Sequence, residues 1–325
     1  MLLAVGAVLA LLLGTVTRDI VLGDDNPFVP GAALGSSMAD LVGEPRPRTP
    51  LVYGGLGAWV DVFDYVPAYS NDEPALAIDD LGDILDDMVG AGVETLYLQA
   101  ARSDERAKGL VVDAPLVAEW LIEAHRRDIR VVAWYLPDLT DVEDDLARLD
   151  ALRTFEILGH TFDGIAVDIE ARTVEEPAER SRRLVELSTR YRATADGEAI
   201  GAIVLPPVLL EVVNEDFWPD FPWRDLAPLY DVWLPMAYWS QRTADSGYLD
   251  GFTYFEESTR RMRANLGLPA APVHGIGGIG DDLSAASIDR FGLALETTDA
   301  VGGSIYDWAT LPPEQRTAVR DAVEG

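Results

Sequence analysis

The fold of this chain is indicated by the stretch Phe162-Asp-Gly-Ile-Ala-Val-Asp-Ile-Glu170. An uninterrupted apolar run is typical of a parallel β-strand that is buried on both faces. Side chains alternate between the two faces of a strand, so Ala166, Asp168 and Glu170 share one face. In a closed parallel barrel that face points inward, and catalytic groups lie at the C-terminal strand ends. The stretch therefore predicts a barrel strand ending in two carboxyl groups, roughly 7 Å apart, whose charges interact.

An isolated Asp-x-Glu in an acidic chain is more often a solvated pair at a strand end, so the surrounding pattern decides. From residue 51 onward, strand-like apolar runs alternate with helix-like segments, which predicts an α/β fold with a parallel sheet. The predicted strands are 57–63, 94–100, 130–136, 162–170, 199–205, 231–238, 272–276 and 301–306. Helices are predicted at 79–90, 115–127, 141–158, 176–193 and 253–266, with two more from 284 and 312, and a long loop at 206–224. This order and length predict a single (β/α)8 barrel, a TIM barrel, over residues 51–325.

Composition excludes several classes of function. The 56 acidic residues outnumber the 25 basic ones, and the net charge of −31 would repel nucleic acid and anionic membrane surfaces. There is no cysteine and there are three histidines, so neither a zinc–thiolate site nor a His-rich catalytic metal site is expected. The glycine-rich stretch 274–280 precedes Asp281 and Asp282, which would repel a phosphate; it is interpreted as a structural turn, and no cofactor is predicted.

The N-terminus is predicted to lie outside the barrel. Residues 1–22 form an apolar leader, interpreted as a signal peptide or a membrane anchor, with possible membrane attachment through residues 2–17. Residues 23–50 are rich in Gly, Pro, Ser and Asp, which is typical of a flexible linker. Both interpretations of the leader place the domain outside the cytoplasm, either secreted or anchored.

Acidic and aromatic residues recur at the predicted strand ends, which would meet at one site. Besides Asp168 and Glu170, they are Asp61 and Asp64 after the first strand, Gln99 after the second, Trp134 and Tyr135 after the third, Met236, Tyr238 and Trp239 after the sixth, and Asp307 and Trp308 after the eighth. Carboxyl groups can protonate a bridging oxygen, and flat rings pack on the apolar faces of sugars. The constellation predicts a carbohydrate partner.

Three segments resemble a known family. The stretch Asp163-Gly-Ile-Ala-Val-Asp-Ile-Glu170 resembles the fourth-strand signature of glycoside hydrolase family 18, the chitinase-like barrels. Met236-Ala-Tyr238 is similar to that family's sixth-strand Met-x-Tyr, and Gly302-Gly-Ser-Ile-Tyr-Asp-Trp308 to its eighth-strand Gly-Gly…Trp. The segments occur in the family's order, on the corresponding strands.

The resemblance implies a retaining glycosidase for N-acetylated sugars of chitin or cell-wall type. Glu170 would be the general acid and base, and Asp168 would orient the substrate's N-acetyl group, whose oxygen attacks the anomeric carbon. Tyr238 would donate a hydrogen bond to that group, and Trp308 would form the floor beneath the reacting sugar.

The sequence departs from the family pattern at three positions. Ala166 stands where the family has its middle Asp, so Asp168 is expected to stay ionised in one orientation. Trp308 follows the glycine pair one residue late, so Tyr306 or Asp307 is an alternative for part of its role, and Trp239 stands where many members have Asp. Two alternatives remain open: a non-catalytic cell-surface barrel that binds carbohydrate, and a hydrolase for another glycan that uses Asp61 or Asp307 as its second carboxylate.

Overall fold

The computed structural model describes residues 42–70, 74–280 and 283–325. The predicted leader at 1–22 and most of the predicted linker lie outside these residues. Within them, no helix combines the length and the apolar character needed to span a membrane.

Eight parallel strands form the barrel, as the sequence predicts. They are β1 (Gly55–Val60), β2 (Thr95–Ala101), β3 (Arg130–Tyr135), β4 (Gly164–Ile169), β5 (Ile200–Val204), β6 (Val232–Pro235), β7 (His274–Ile279) and β8 (Gly302–Tyr306). Ladders join the strands in the order β6-β5-β4-β3-β2-β1-β8-β7. Isolated bridges from Trp233 to Val273 and from Met236 to Ile276 close the remaining gap between β6 and β7.

A helix follows each strand, which confirms the predicted (β/α)8 architecture. The helices are α1 (Leu81–Gly90), α2 (Ala114–Arg126), α3 (Val142–Arg153), α4 (Pro177–Thr194), α5 (Trp223–Leu226), α6 (Gly251–Leu266), α7 (Ala285–Thr297) and α8 (Pro313–Glu324). Shorter pieces are the helical turns Pro50–Tyr53, Val62–Tyr65, Ile78–Asp80, Leu209–Val213, Trp239–Gln241 and Ala244–Ser246, and the two short strands Glu156–Ile157 and His160–Thr161.

Several boundaries differ from the sequence prediction. The first strand stops at Val60 because Asp61 caps a helical turn, with its side chain accepting a hydrogen bond from the Phe63 amide. The predicted helix at 141–158 ends at Arg153, and the chain then forms an antiparallel hairpin at 156–161. The glycine-rich stretch 274–280 is mostly strand β7 rather than a turn. Gly277 lets rings pack directly on that strand, since a Cβ there would lie 2.9 Å from both Phe291 and Trp239.

Tyr53 closes the N-terminal end of the barrel. Its ring is fully buried, and its hydroxyl donates to the Ile165 carbonyl at 2.8 Å. A Cβ at Gly201 would lie 2.7 Å from this ring, so the glycine leaves room for the Tyr53 side chain. Near the end of the stretch 23–50, predicted as a flexible linker, Arg48 lies against the barrel. Arg48 donates to the carbonyls of Phe162 and Arg153 and pairs with Glu198 at 2.7 Å.

Candidate active site

A pocket of about 200 Å³ opens at the C-terminal ends of the barrel strands. Its lining residues are Trp59, Asp61, Phe63, Gln99, Arg102, Trp134, Leu136, Asp168, Glu170, Ile203, Met236, Tyr238, Ile276 and Tyr306. A larger groove of about 460 Å³ lies on the outer wall beside α5. Barrel enzymes carry their chemistry at the strand ends, so the inner pocket is the candidate site.

The carboxyl pair comes from the end of β4. Asp168 lies inside the strand and Glu170 directly after it, so strand alternation directs both side chains into the barrel. Asp168 is 5% exposed, and its Oδ1 has no hydrogen-bond partner within the described residues. Glu170 is half-buried. An acceptor oxygen that is buried in a pocket without a donor is available to a ligand that carries an N–H or O–H group.

Burial raises the pKa of both carboxyl groups. For Asp168 the raised pKa comes first from burial and then from the charge of Glu170, while Arg102 acts in the opposite direction. Burial also raises the pKa of Glu170. The sequence analysis expects Asp168 to stay ionised because Ala166 replaces an acid, but burial and the charge of Glu170 act in the opposite direction. Loss of a third carboxyl does not outweigh burial, and the pair retains a proton to higher pH than a solvated carboxyl.

Tyr238 lines the same pocket from beyond the end of β6, two strands away from β4. Strand β6 ends at Pro235, and the Ala237 amide donates to the Ile276 carbonyl at 2.8 Å, which fixes the turn that carries Tyr238. Burial, followed by the charges of Glu170 and Asp168, raises the pKa of Tyr238 well above its usual value. The phenol therefore keeps its proton and remains a hydrogen-bond donor towards the pocket.

Trp59 and Trp134 supply aromatic surface inside the pocket. Their rings meet edge to face at 5.9 Å, and Trp59 stacks on Tyr97 at 4.3 Å. Hydrogen bonds also hold the Trp59 indole, since its Nε1 donates to Ser304 Oγ at 2.7 Å. Ser304 Oγ lies 2.9 Å from His274 Nε2, and His274 Nδ1 lies 2.8 Å from the Tyr53 carbonyl. These buried hydrogen bonds hold the Trp59 ring in one orientation inside the pocket.

Asp61 and Gln99 line the pocket and also organise the turn after β1. Gln99 Oε1 accepts from the Val62 amide at 3.1 Å, and Asp61 Oδ1 accepts from the Phe63 amide at 2.7 Å. The other Asp61 oxygen accepts from the Tyr306 hydroxyl at 2.6 Å. Tyr306 thus stands beside Asp61 on the wall between β1 and β8.

Four residues that the sequence analysis placed at the site do not line the pocket. Tyr135 points outward and donates to Asp145 Oδ1 at 2.6 Å, since it follows Trp134 and takes the opposite face of β3. Trp239 is buried against Phe291 at 5.1 Å, and Trp308 is buried beneath the guanidinium of Arg316. Asp307 is buried behind the pocket wall. Trp308 therefore does not line the pocket, whereas Tyr306, the alternative for part of its role, does.

Asp61, Asp64 and Asp307 form an acidic cluster beside the pocket. Each brings one carboxylate oxygen to within 4.8 Å of the others, a geometry that a divalent cation could use. All three already accept internal hydrogen bonds: Asp61 from Phe63 and Tyr306, Asp64 from the Asp61 amide, and Asp307 from the Thr310 amide. Capping of two turns therefore accounts for the cluster.

The pKa of Asp64 in this cluster makes stability depend on pH. Burial, followed by the charges of Asp61 and Asp307, raises the pKa of Asp64 to about 8. Between the unfolded pKa, near 4, and this value the folded state binds the extra proton, so the free energy of unfolding falls as pH rises. Asp64→Asn should match the parent at pH 5 and exceed it by roughly 1–3 kcal/mol at pH 8.5, measured by chemical denaturation. Asp196→Asn, on the exposed surface, should show no such difference; an equal gain at both pH values would contradict the assignment.

The sequence analysis missed Phe63 and Arg102, and it named Tyr306 only as an alternative for part of the role of Trp308. Phe63 is 48% exposed at the pocket mouth, where the rings of Phe63 and Tyr69 meet edge to face at 5.9 Å. Arg102 directly follows β2, and its guanidinium lies 5.5 Å from the Phe63 ring. The sequence did contain a signal for these two residues, because Phe63 and Arg102 follow two neighbouring strands.

Comparison of the fold with solved structures finds sugar-processing barrels. The glycoside hydrolase domain of PgaB (BpsB) from Bordetella bronchiseptica has a TM-score of 0.54 at 12% identity, with 83% of this chain and 98% of that chain covered. The C-terminal domain of a putative chitinase from Desulfitobacterium hafniense has a TM-score of 0.59 at 9% identity, with the same coverage. GH5_18 from Streptomyces cattleya, solved with GlcNAc, has a TM-score of 0.57 at 12% identity, covering 85% of this chain and 80% of that chain.

No family model and no curated protein matches the sequence. The similarity at these low identities concerns the course of the backbone. It shows that this chain has the fold of the chitinase-like glycoside hydrolase barrels.

Proposed function

We propose that this protein is a retaining glycoside hydrolase for N-acetylated sugars of chitin or cell-wall type. The observation that carries the proposal is one pocket at the strand ends that brings together Asp168, Glu170 and Tyr238. Burial raises the pKa of each of the three groups, which favours a protonated Glu170 as the acid and keeps Tyr238 a hydrogen-bond donor. The solved barrels of the same fold include a chitinase and a GlcNAc complex, which supports this substrate class.

The proposed reaction uses the substrate's own acetamide as the nucleophile. Glu170 gives its proton to the glycosidic oxygen as the bond from that oxygen to the anomeric carbon breaks. The acetamide oxygen forms a new bond to the anomeric carbon from the other side. Asp168 accepts the acetamide N–H through its unpaired Oδ1, and Tyr238 donates to the acetamide oxygen. Water then attacks the anomeric carbon as the bond between that carbon and the acetamide oxygen breaks, which restores the acetamide, and the Glu170 carboxylate takes the proton that water releases.

The pocket's size and walls suit one sugar ring. Its volume of about 200 Å³ is below the ~300–1,000 Å³ of typical ligand pockets. Trp59 and Trp134 offer flat apolar surface, and the carboxyl groups offer acceptors for hydroxyl groups. A single N-acetylated ring would occupy the pocket, with the leaving sugar towards the exposed Phe63.

Hydrolysis of matched oligosaccharides tests the proposal. N-acetylglucosamine oligomers and glucose oligomers of the same linkage and length would be incubated with the full chain, with proton NMR following each new anomeric centre. We expect cleavage of the N-acetylated series alone, with retained configuration in the first product. Faster cleavage of the glucose series would contradict the acetamide mechanism and favour Asp61, which lines the same pocket, as the second carboxylate. Binding of the N-acetylated series without turnover would instead favour a carbohydrate-binding barrel.

A further inference from the structure

We propose that Arg102 is a positioning residue whose fixed positive charge favours the ionised form of Asp168 within the Asp168–Glu170 pair. The inference deepens the proposed function and rests on it for its meaning in catalysis. Arg102 is the one cationic side chain among the described residues that line the pocket, and it lies there with both carboxyl groups. No sequence motif marks this residue, and Ala166 leaves the pair without the third acid that the resemblance leads one to expect.

The structure holds the Arg102 guanidinium in place from two sides. Its Nε lies 3.2 Å from Asp104 Oδ2, and its central carbon lies 5.5 Å from the Phe63 ring and 5.8 Å from the Tyr69 ring. Tyr69 donates to the other oxygen of Asp104 at 3.0 Å, which fixes the acceptor in turn. The side chain is 23% exposed, so the charge is partly shielded from solvent. An arginine held in this way is a fixed charge at the pocket wall.

Charged and titratable groups on several strands surround Asp168. Glu170 follows the same strand, Asp61 lies at the end of β1 with Asp64 and Asp307 behind it, and Tyr238 and Tyr306 face the pair as neutral phenols. The negative charges of these acids disfavour the ionisation of Asp168. Arg102 is the only described residue lining the pocket whose charge favours it.

The proposed reaction requires the two acids of the pair to be in different protonation states. The proposed mechanism needs a protonated Glu170 and an ionised Asp168. Burial and the charge of Glu170 favour the proton on Asp168, and the guanidinium of Arg102 opposes them. Without Arg102, Asp168 would hold its proton more tightly, and a smaller fraction of the protein would carry the proton on Glu170.

Three variants test this role. Arg102→Gln removes the charge, Arg102→Lys keeps it, and Arg106→Gln is the matched control. Arg106 also contacts Asp104, at 3.2 Å, and lies over Tyr69 at 4.1 Å, but it does not line the pocket. We expect Arg102→Gln to move the whole bell-shaped profile of kcat/KM alkaline by about 0.5–1 pH unit and to lower its maximum. Arg102→Lys and Arg106→Gln should leave the profile in place.

A measurement without turnover separates this inference from the proposed function. Carbon NMR of side-chain-labelled aspartate would follow the titration of Asp168, assigned by the signal lost in Asp168→Asn. The Asp168 titration should move to higher pH in Arg102→Gln and not in Arg106→Gln. An unchanged titration in Arg102→Gln would overturn the inference whether or not the protein hydrolyses sugars. An inactive parent in which the titration still moves would overturn the proposed function alone.

Discussion

Replacing Glu170 by glutamine should lower turnover of N-acetylated oligosaccharides by about 10²–10⁴-fold without unfolding the protein. The side chain is half-buried at the end of β4, and glutamine has nearly the same size and keeps an acceptor oxygen. What it cannot do is give a proton to the glycosidic oxygen. Because glutamine leaves substrate contacts in place, kcat should fall while KM changes little. Release of reducing ends under saturating substrate is the measurement.

Glu175→Gln is the matched control for this variant. Glu175 lies five residues later in the same connection to α4 and is exposed. The Glu175→Gln variant should keep parental activity, since Glu175 does not line the pocket. A second comparison uses Asp168→Asn, alone and combined with Glu170→Gln. Because the two acids act on one event, the double variant should lose little more than the Glu170 single variant. Parental activity in Glu170→Gln would end the proposed mechanism.

The barrel itself was predictable because its pattern is repeated. Eight apolar runs in alternation with helical segments leave few architectures for a chain of this length. The pair at the end of β4 was predictable for a local reason, since alternation along one strand fixes the faces of Asp168 and Glu170. The same rule could have excluded Tyr135, which follows the inward Trp134 and must point to the helices.

Residues beyond the strand ends could not be placed in this way. Trp239 and Trp308 follow strands that have already ended, so alternation does not govern them. The Trp239 ring is buried against Phe291 of α7, and the Trp308 ring is buried beneath Arg316 of α8. Arg102 reaches the pocket because Asp104 and two rings hold it there. Contacts of this kind depend on the assembled barrel.

The N-terminal end of the barrel gives a second example of a residue whose role could not be predicted from the sequence. Asp163 belongs to the stretch that carries the family resemblance, which suggests a role near the chemistry. It lies instead at the start of β4, fully buried and at the opposite end of the strand from Glu170. One oxygen accepts from the Val131 amide at 2.7 Å and lies 2.9 Å from His125 Nε2. The other lies 4.0 Å from Arg46. One signature therefore holds a structural acid and two site acids.

Asp163→Ala should destabilise the protein by about 3–5 kcal/mol and leave the activity of the remaining folded molecules unchanged. The substitution removes a buried acceptor and strands the Val131 amide and the His125 ring without their partner, which costs more than the lost contacts alone. Denaturant unfolding of the parent and the variant measures the loss, and activity per folded molecule is read below the transition. Asp163→Asn should lose less, because its amide oxygen can still accept from Val131.

Asp196→Ala is the control at the same end of the barrel. Asp196 is exposed in the connection between α4 and β5, and its replacement should change stability by less than about 0.5 kcal/mol. Two results would contradict the structural role of Asp163. A loss in Asp163→Ala no larger than in the control would mean that the buried contacts contribute nothing. A fully stable Asp163→Ala protein with lost turnover would mean that this acid acts on the distant pocket, and the separation of one motif into a structural and a chemical end would then be wrong.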